Sequence, residues 1–117
     1  MTNLDSKIVV EGNKLFEEFK GALTENYVLQ ALIAKGFTPY YFTFDNRYEI
    51  DFILQYRNEI IPIEVKSNEN INNTSLKIYN EKYASNTRIR FSMRNLNKDE
   101  NLINIPLFMV EYLEKIM

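Results

Sequence analysis

Apolar and polar positions along the chain change period several times, and each change marks an element. From about Glu11 to Lys35, Leu15, Phe16, Phe19 and Leu23 recur at helical spacing, and the segment YVLQALIA that follows is apolar nearly all round. A helix of that kind is expected to be covered on more than one side, and Gly36 stands just past Lys35 as its stop. Three strand patterns follow closely, at about 37–44 (FTPYYFTF), 48–55 (YEIDFILQ) and 59–67 (EIIPIEVKS). The short connections Asp45-Asn46-Arg47 and Tyr56-Arg57-Asn58 hold turn formers and predict an antiparallel meander. Beyond the polar loop NENINNTS, Leu76, Tyr79 and Tyr83 predict a helix over about 75–84, capped by Thr74 or Ser75. The stretch TRIRFSMR then alternates, with Ile89, Phe91 and Met93 on one side and Arg88, Arg90, Ser92 and Arg94 on the other. Last, Pro106 stands where a helix can begin, with Phe108, Tyr112 and Ile116 along one stripe. The predicted order is helix, three strands, helix, strand and helix.

Length and composition narrow what such a chain can do. A chain of 117 residues, 45% hydrophobic and 26% charged, suits one globular domain over residues 1–117; residues 1–10 precede the pattern and are expected to be flexible. Fourteen basic against sixteen acidic residues give a net charge of −2, so nucleic-acid binding requires a local patch. No apolar run reaches the roughly 20 residues of a spanning helix, and no signal-peptide layout opens the chain. With the absence of cysteine, this leads to the expectation of a cytoplasmic protein without membrane association. The absence of both histidine and cysteine excludes a Ser-His-Asp triad, a Cys-His pair and a His or Cys metal site. Gly12, Gly21 and Gly36 form no phosphate-cradling loop. Carboxylate, lysine, tyrosine and hydroxyl chemistry remain.

The strand patterns carry charges where a buried sheet favours aliphatic residues. Glu64 and Lys66 share a face with Ile60 and Pro62, and in the preceding strand Ile50, Phe52 and Leu54 share one face while Asp51, Ile53 and Gln55 share the other. An antiparallel turn near Arg57-Asn58 brings Asp51 level with the stretch from Glu64 to Lys66. Two carboxylates so close repel, and a hard divalent cation relieves them. The plainer reading is an ion pair with Lys66 on a solvated face, and the spacing alone leaves both open. Pro62 is a further mark of an edge strand or a bulge. On the first helix Glu25 lies among Gly21, Ala22, Val28, Leu29 and Leu32, a stripe suited to burial, although pairing with a surface lysine at the rim is equally compatible.

In the stretches GALTENYVLQALIAKG, YYFTFDNRYEIDFIL, IPIEVKS, SLKIYNEKY and NIPLFMVEYL the chain resembles the PD-(D/E)XK nuclease-like superfamily. More narrowly, it resembles the carboxyl-terminal domain of unknown function that follows an AAA-type ATPase module in many bacterial and archaeal proteins. The resemblance runs from about Gly21 onward. It implies an α/β fold with a restriction-endonuclease-like α-β-β-β-α-β core, a mixed sheet flanked by helices and an extra C-terminal helix. It also implies that the chain is a fragment of a longer ATPase-containing protein. By the same resemblance Glu25, Asp51, Glu64 and Lys66 are the catalytic set, with Ile50 in place of the signature proline. Mg²⁺ or Mn²⁺ would be held by Asp51, Glu64, the Val65 carbonyl and Glu25, with Ser67 and Gln55 as outer candidates, and DNA would be the substrate. A catalytically silent module serving recognition or ATPase assembly is the alternative. Arg88, Arg90 and Arg94, supported by Lys77, Lys82 and Lys98, are the candidate contacts to nucleic acid. Tyr40, Tyr41, Phe42 and Phe44 offer either stacking surfaces or core packing.

Overall fold

The computed structural model describes residues 6–68 and 74–117; residues 1–5, and 69–73 of the polar loop, lie outside the described residues. Its order is α1 (Ser6–Ala34), β1 (Tyr40–Phe44), β2 (Tyr48–Tyr56), β3 (Glu59–Val65), α2 (Thr74–Tyr83), β4 (Arg88–Ser92), β5 (Asn97–Asp99) and β6 (Leu102–Pro106). A 3₁₀ turn (Leu107–Tyr112) and a short helix, α3 (Leu113–Ile116), follow. The expected α/β fold with a mixed sheet is present, enlarged to six strands in the order β1-β2-β3-β4-β6-β5. Strands β1 to β3 form the antiparallel meander, while β3, β4 and β6 run parallel and β5 closes one edge antiparallel to β6. Arg57 and Asn58, both at positive φ (50° and 65°), make the tight two-residue turn between β2 and β3.

The helices take opposite faces of the sheet. Val28 and Leu32 of α1 pack with Phe52, Leu54, Ile61, Ile63, Ile89, Phe91, Ile103 and Ile105, while Leu76 and Tyr79 of α2 pack with Phe44 and Ile50. Ile50 and Phe52 therefore do not share a face, contrary to simple alternation, because β2 carries a bulge between them. Tyr40 pairs with Ile53 and Phe42 with Ile50, which leaves Asp51 and Phe52 together opposite Tyr41.

Pro62 sits inside the sheet rather than at its edge. Lys66 donates its backbone N–H to Phe91 of β4, and alternation turns the Pro62 nitrogen the same way, one residue before the first β3–β4 pair, Ile63 with Ile89. The missing donor thus falls where the parallel ladder has not begun.

Three further expectations are revised. Helix α1 begins at Ser6, so residues 6–10 belong to it, and it is not covered on two sides. Leu15, Phe16, Phe19 and Leu23 are 55–66% exposed, as are about half of Tyr27 and Ile33, while burial is confined to the stripe of Val28 and Leu32. Met93 is exposed because β4 ends at Ser92 and the alternation ends with it. Pro106 ends β6 and also caps the 3₁₀ turn that follows, so a helix does begin there, but Phe108 and Tyr112 do not face the core. In the 3₁₀ turn and α3 the inward residues, Val110 and Leu113, recur at a spacing of three, which leaves Phe108 75% exposed.

Candidate metal centre and its flanking arginines

The bulge in β2 creates the site. Pairing between β2 and β3 ends at Phe52 and Ile63. Past that point the Lys66 N–H points to β4, so the Val65 N–H points to β2, where the bulge has withdrawn the backbone. The Asp51 carboxylate fills the gap and accepts from the Val65 N–H at 2.8 Å. A carboxylate here does the work of a ladder carbonyl, and it is fixed where two strands part.

Glu64, buried to 9% exposure, hydrogen-bonds to Asp51, and the Lys66 Nζ lies 3.7 Å from Glu64 Oε1. A hydrogen bond between two carboxyl groups requires a proton on one of them, and a cation between them would take its place. Burial pushes Asp51 above its ordinary carboxylate range, with Glu49 adding to the rise; the Val65 N–H, the bond to Glu64 and the charge of Lys66 oppose it. Glu25, half-buried on α1, is raised first by burial and then by the negative charges of Asp51 and Glu49. Its helix is close to the end of β3, since a Cβ at Gly21 would stand 3.7 Å from the Ser67 Oγ, and Glu25 follows one turn later. The structure thus joins Asp51, Glu64 and Lys66 directly and brings Glu25 within electrostatic reach.

Other expected participants lie elsewhere. Gln55 is exposed four residues along β2 from Asp51, about 13 Å away at strand rise, and it lines a cleft with Phe37 and Asn58 at the hairpin end. Phe42 and Phe44 pack against Tyr79 and Tyr83, so they belong to the core, whereas Tyr40 and Tyr41 are exposed. Two residues of this neighbourhood were not anticipated. Glu49 acts on both Glu25 and Asp51, and the Tyr41 hydroxyl hydrogen-bonds to Glu49. The signal for Glu49 was its place two residues before Asp51 in EID, the spacing that returns a strand to one face.

On the α2 side of the sheet a polar row continues from Glu64. Glu64 is level with Arg90 of β4, Arg90 with Asn104 of β6, and Asn104 with Asn97 of β5. The buried Asn104 carboxamide accepts from Arg90 Nε at 2.9 Å and from the Ser92 hydroxyl at 2.6 Å, and it donates to the carbonyls of Arg94 and Asn95. Arg88 turns away, with Nε and one terminal nitrogen both bonded to Asn101 Oδ1, close to Glu100 and Asp99. Lys82 pairs with Asp45, and Lys98 lines a different cleft with Asn86 and Thr87 because alternation along β5 sends it to the face opposite Asn97. Lys77 is exposed on α2. Of the expected basic face, Arg90 and Arg94 remain together.

Among the described residues no three Asp or Glu side chains stand ready to hold one metal ion, and no helix is long and apolar enough to cross a membrane. A family described as a domain of unknown function, DUF4143, matches residues 20–108, and the chain belongs to it. No curated protein and no solved structure matches.

Proposed function

We propose that this chain is a metal-dependent endonuclease-like domain that hydrolyses DNA phosphodiester bonds, of the PD-(D/E)XK type, and that it works beside an AAA-type ATPase module of the same parent chain. The observation that carries this reading is the Asp51 carboxylate held on the Val65 amide and hydrogen-bonded to Glu64, with Lys66 at 3.7 Å. A buried glutamate beside a half-buried aspartate contributes little to a fold that aliphatic residues would not contribute better, and such a pair is suited to holding a cation. Mg²⁺ is bound through one or two carboxylates completed by water, so Asp51 and Glu64 suffice as charged ligands. The Val65 carbonyl is a further oxygen, and Glu25 would act through water or at a second ion. Mn²⁺ would serve the same ligands. When bound, the ion supplies a Lewis acid and a more acidic water.

The chain's own groups supply the rest. Lys66 offers positive charge to the phosphate as negative charge builds on its oxygens, and its contact with Glu64 sets where that ammonium stands. Hydrolysis joins the oxygen of water to phosphorus and breaks the bond to one ester oxygen, which leaves with a proton. Glu25, its pKa raised by burial and by its acidic neighbours, is the group suited to hold a proton nearby.

A second reading, a silent module for recognition or ATPase assembly, is favoured by the absence of a ready three-acid group among the described residues. The two separate on metal. Under the nuclease reading, millimolar Mg²⁺ shifts the amide resonances of Asp51 and Val65 and Mn²⁺ broadens them, DNA is cut, and Glu64→Gln lowers the cutting rate by about 10²-fold or more while the chain stays folded. Unchanged resonances at those two residues would exclude the nuclease.

A further inference from the structure

The end of the polar row opposite Glu64 opens into a pocket of about 460 Å³ lined by Arg90, Met93, Arg94, Asn95, Asn97 and Asn104. Its volume is in the range of small-ligand sites, about 300–1,000 Å³. Its lining chemistry is narrower than its size. Two guanidinium groups and the carboxamides of Asn95 and Asn97 bring N–H groups to it, and among the described residues that line it none is acidic. From these features we infer that the pocket takes a phosphate group of a single nucleic-acid strand, next to the one that lies at Asp51 and Glu64. The inference rests on the nuclease-like reading for what the neighbouring phosphate is doing, but not for the binding itself.

Three observations support it. First, the pocket is built in advance: buried Asn104 accepts from Arg90 Nε and the Ser92 hydroxyl and donates its amide to the Arg94 and Asn95 carbonyls, so one side chain orients the Arg90 guanidinium at the pocket wall and fixes the turn that carries Arg94. Preformed donors lose little on binding an anion. Second, burial, Arg94 and Arg88, in that order, act against the charge of Arg90, so the Arg90 and Arg94 guanidinium groups stand close enough for one oxyanion to bridge them. Third, the placement fits a strand crossing the sheet. Glu64 and Arg90 are level on adjacent strands, and Asn104 and Asn97 are level with Arg90 on the next two. Strands lie about 4.8 Å apart, so the pocket stands roughly one to two nucleotides from Glu64 along an extended chain. Met93, 66% exposed on the rim, offers an apolar surface for a sugar or base.

The test separates this pocket from the metal site by omitting metal. Fluorescence anisotropy of labelled hexathymidylate in EDTA is measured with the whole chain, alongside amide spectra titrated with the same oligonucleotide and with inorganic phosphate. The expected result is movement of the Arg94, Asn95 and Asn97 amides with both probes. Arg94→Gln and Asn97→Asp should each weaken hexathymidylate about tenfold, and Arg94→Gln should lower the salt slope by about 1. Arg88→Gln should bind as the unaltered chain does. Because Arg94 and Asn97 are exposed, these variants test the pocket without opening the core. Response to inorganic phosphate but not to the oligonucleotide would overturn the strand assignment. Equal affinity in Arg94→Gln, Asn97→Asp and the unaltered chain would overturn the pocket itself. A chain that binds in EDTA yet shows no metal response at Asp51 loses the nuclease reading and keeps this site.

Discussion

Ile63, Ile89 and Ile103 stand side by side on β3, β4 and β6, and one residue further on so do Glu64, Arg90 and Asn104. The two rows share strands, register and depth, yet their chemistry is opposite. The isoleucines are 0–6% exposed beneath α1 and contribute transfer free energy and close packing. In the polar row, Glu64 and Asn104 are nearly as buried but need a proton or hydrogen-bond partners to be tolerated. Adjacent rows of one sheet can thus be divided between stability and chemistry, since a strand turns successive side chains to opposite faces.

The largest effect expected from breaking this comparison is on the apolar row. Ile89→Ala removes a fully buried side chain from the centre of the sheet, where the neighbours Ile63 and Ile103 are held by their own strands. It should cost about 2–5 kcal/mol, read as a lower urea midpoint with an unchanged slope. A cost under about 1 kcal/mol would mean that the α1 face is not the stabilising one.

The second effect is smaller and opposite in sign. Burial, more than anything else, raises the Asp51 pKa above the ordinary aspartate value of about 3.9. Below that value both folded and unfolded chains hold the proton. As pH climbs through the raised folded pKa the unfolded chain ionises first, so stability falls with pH. Asp51→Asn keeps an oxygen for the Val65 N–H and abolishes this titration. At neutral pH it should melt about 2–5 °C higher than the unaltered chain, with the difference vanishing in acid. Millimolar Mg²⁺ should then stabilise the unaltered chain and leave the asparagine variant unmoved. A lower melting temperature for Asp51→Asn at neutral pH would show that its charge stabilises the fold.

These particulars show which parts of the molecule were legible in the sequence. The α/β architecture was, because the periods of α1, the meander, α2 and β4 are long enough to separate. The short hairpin made the approach of Asp51 to Glu64 and Lys66 legible, although it is the bulge and not alternation that seats the Asp51 carboxylate there. The bulge at Asp51-Phe52 was not legible, since it depends on how β1 pairs and leaves both residues looking like ordinary strand positions. Glu49 was legible in its place two residues before Asp51 but was passed over, and Tyr41 was read only as a stacking or core residue. Strands β5 and β6 were missed for another reason: NKD is too short for a pattern, and LINIP ends on a proline that equally suits the start of a helix. The stripe of Leu15, Phe16, Phe19 and Leu23 gave a sound helix but not its surroundings, because periodicity identifies an apolar face without saying what covers it.

The smallest effect concerns how α1 is seated beside the site. Glycine in a helix costs about 1 kcal/mol relative to alanine, so its presence at Gly21 suggests a close approach that a methyl group would obstruct. The geometry is more permissive, since a Cβ there would meet the Ser67 Oγ at 3.7 Å, an ordinary contact. Gly21→Ala should therefore stabilise the chain by about 0.5–1 kcal/mol, and it should leave Glu25 in place one turn further along. A loss of stability would mean that α1 must settle closer to Ser67 than this separation. The approach of Glu25 to Asp51 would then depend on glycine for its closeness, and any metal response at Asp51 should weaken in the same variant.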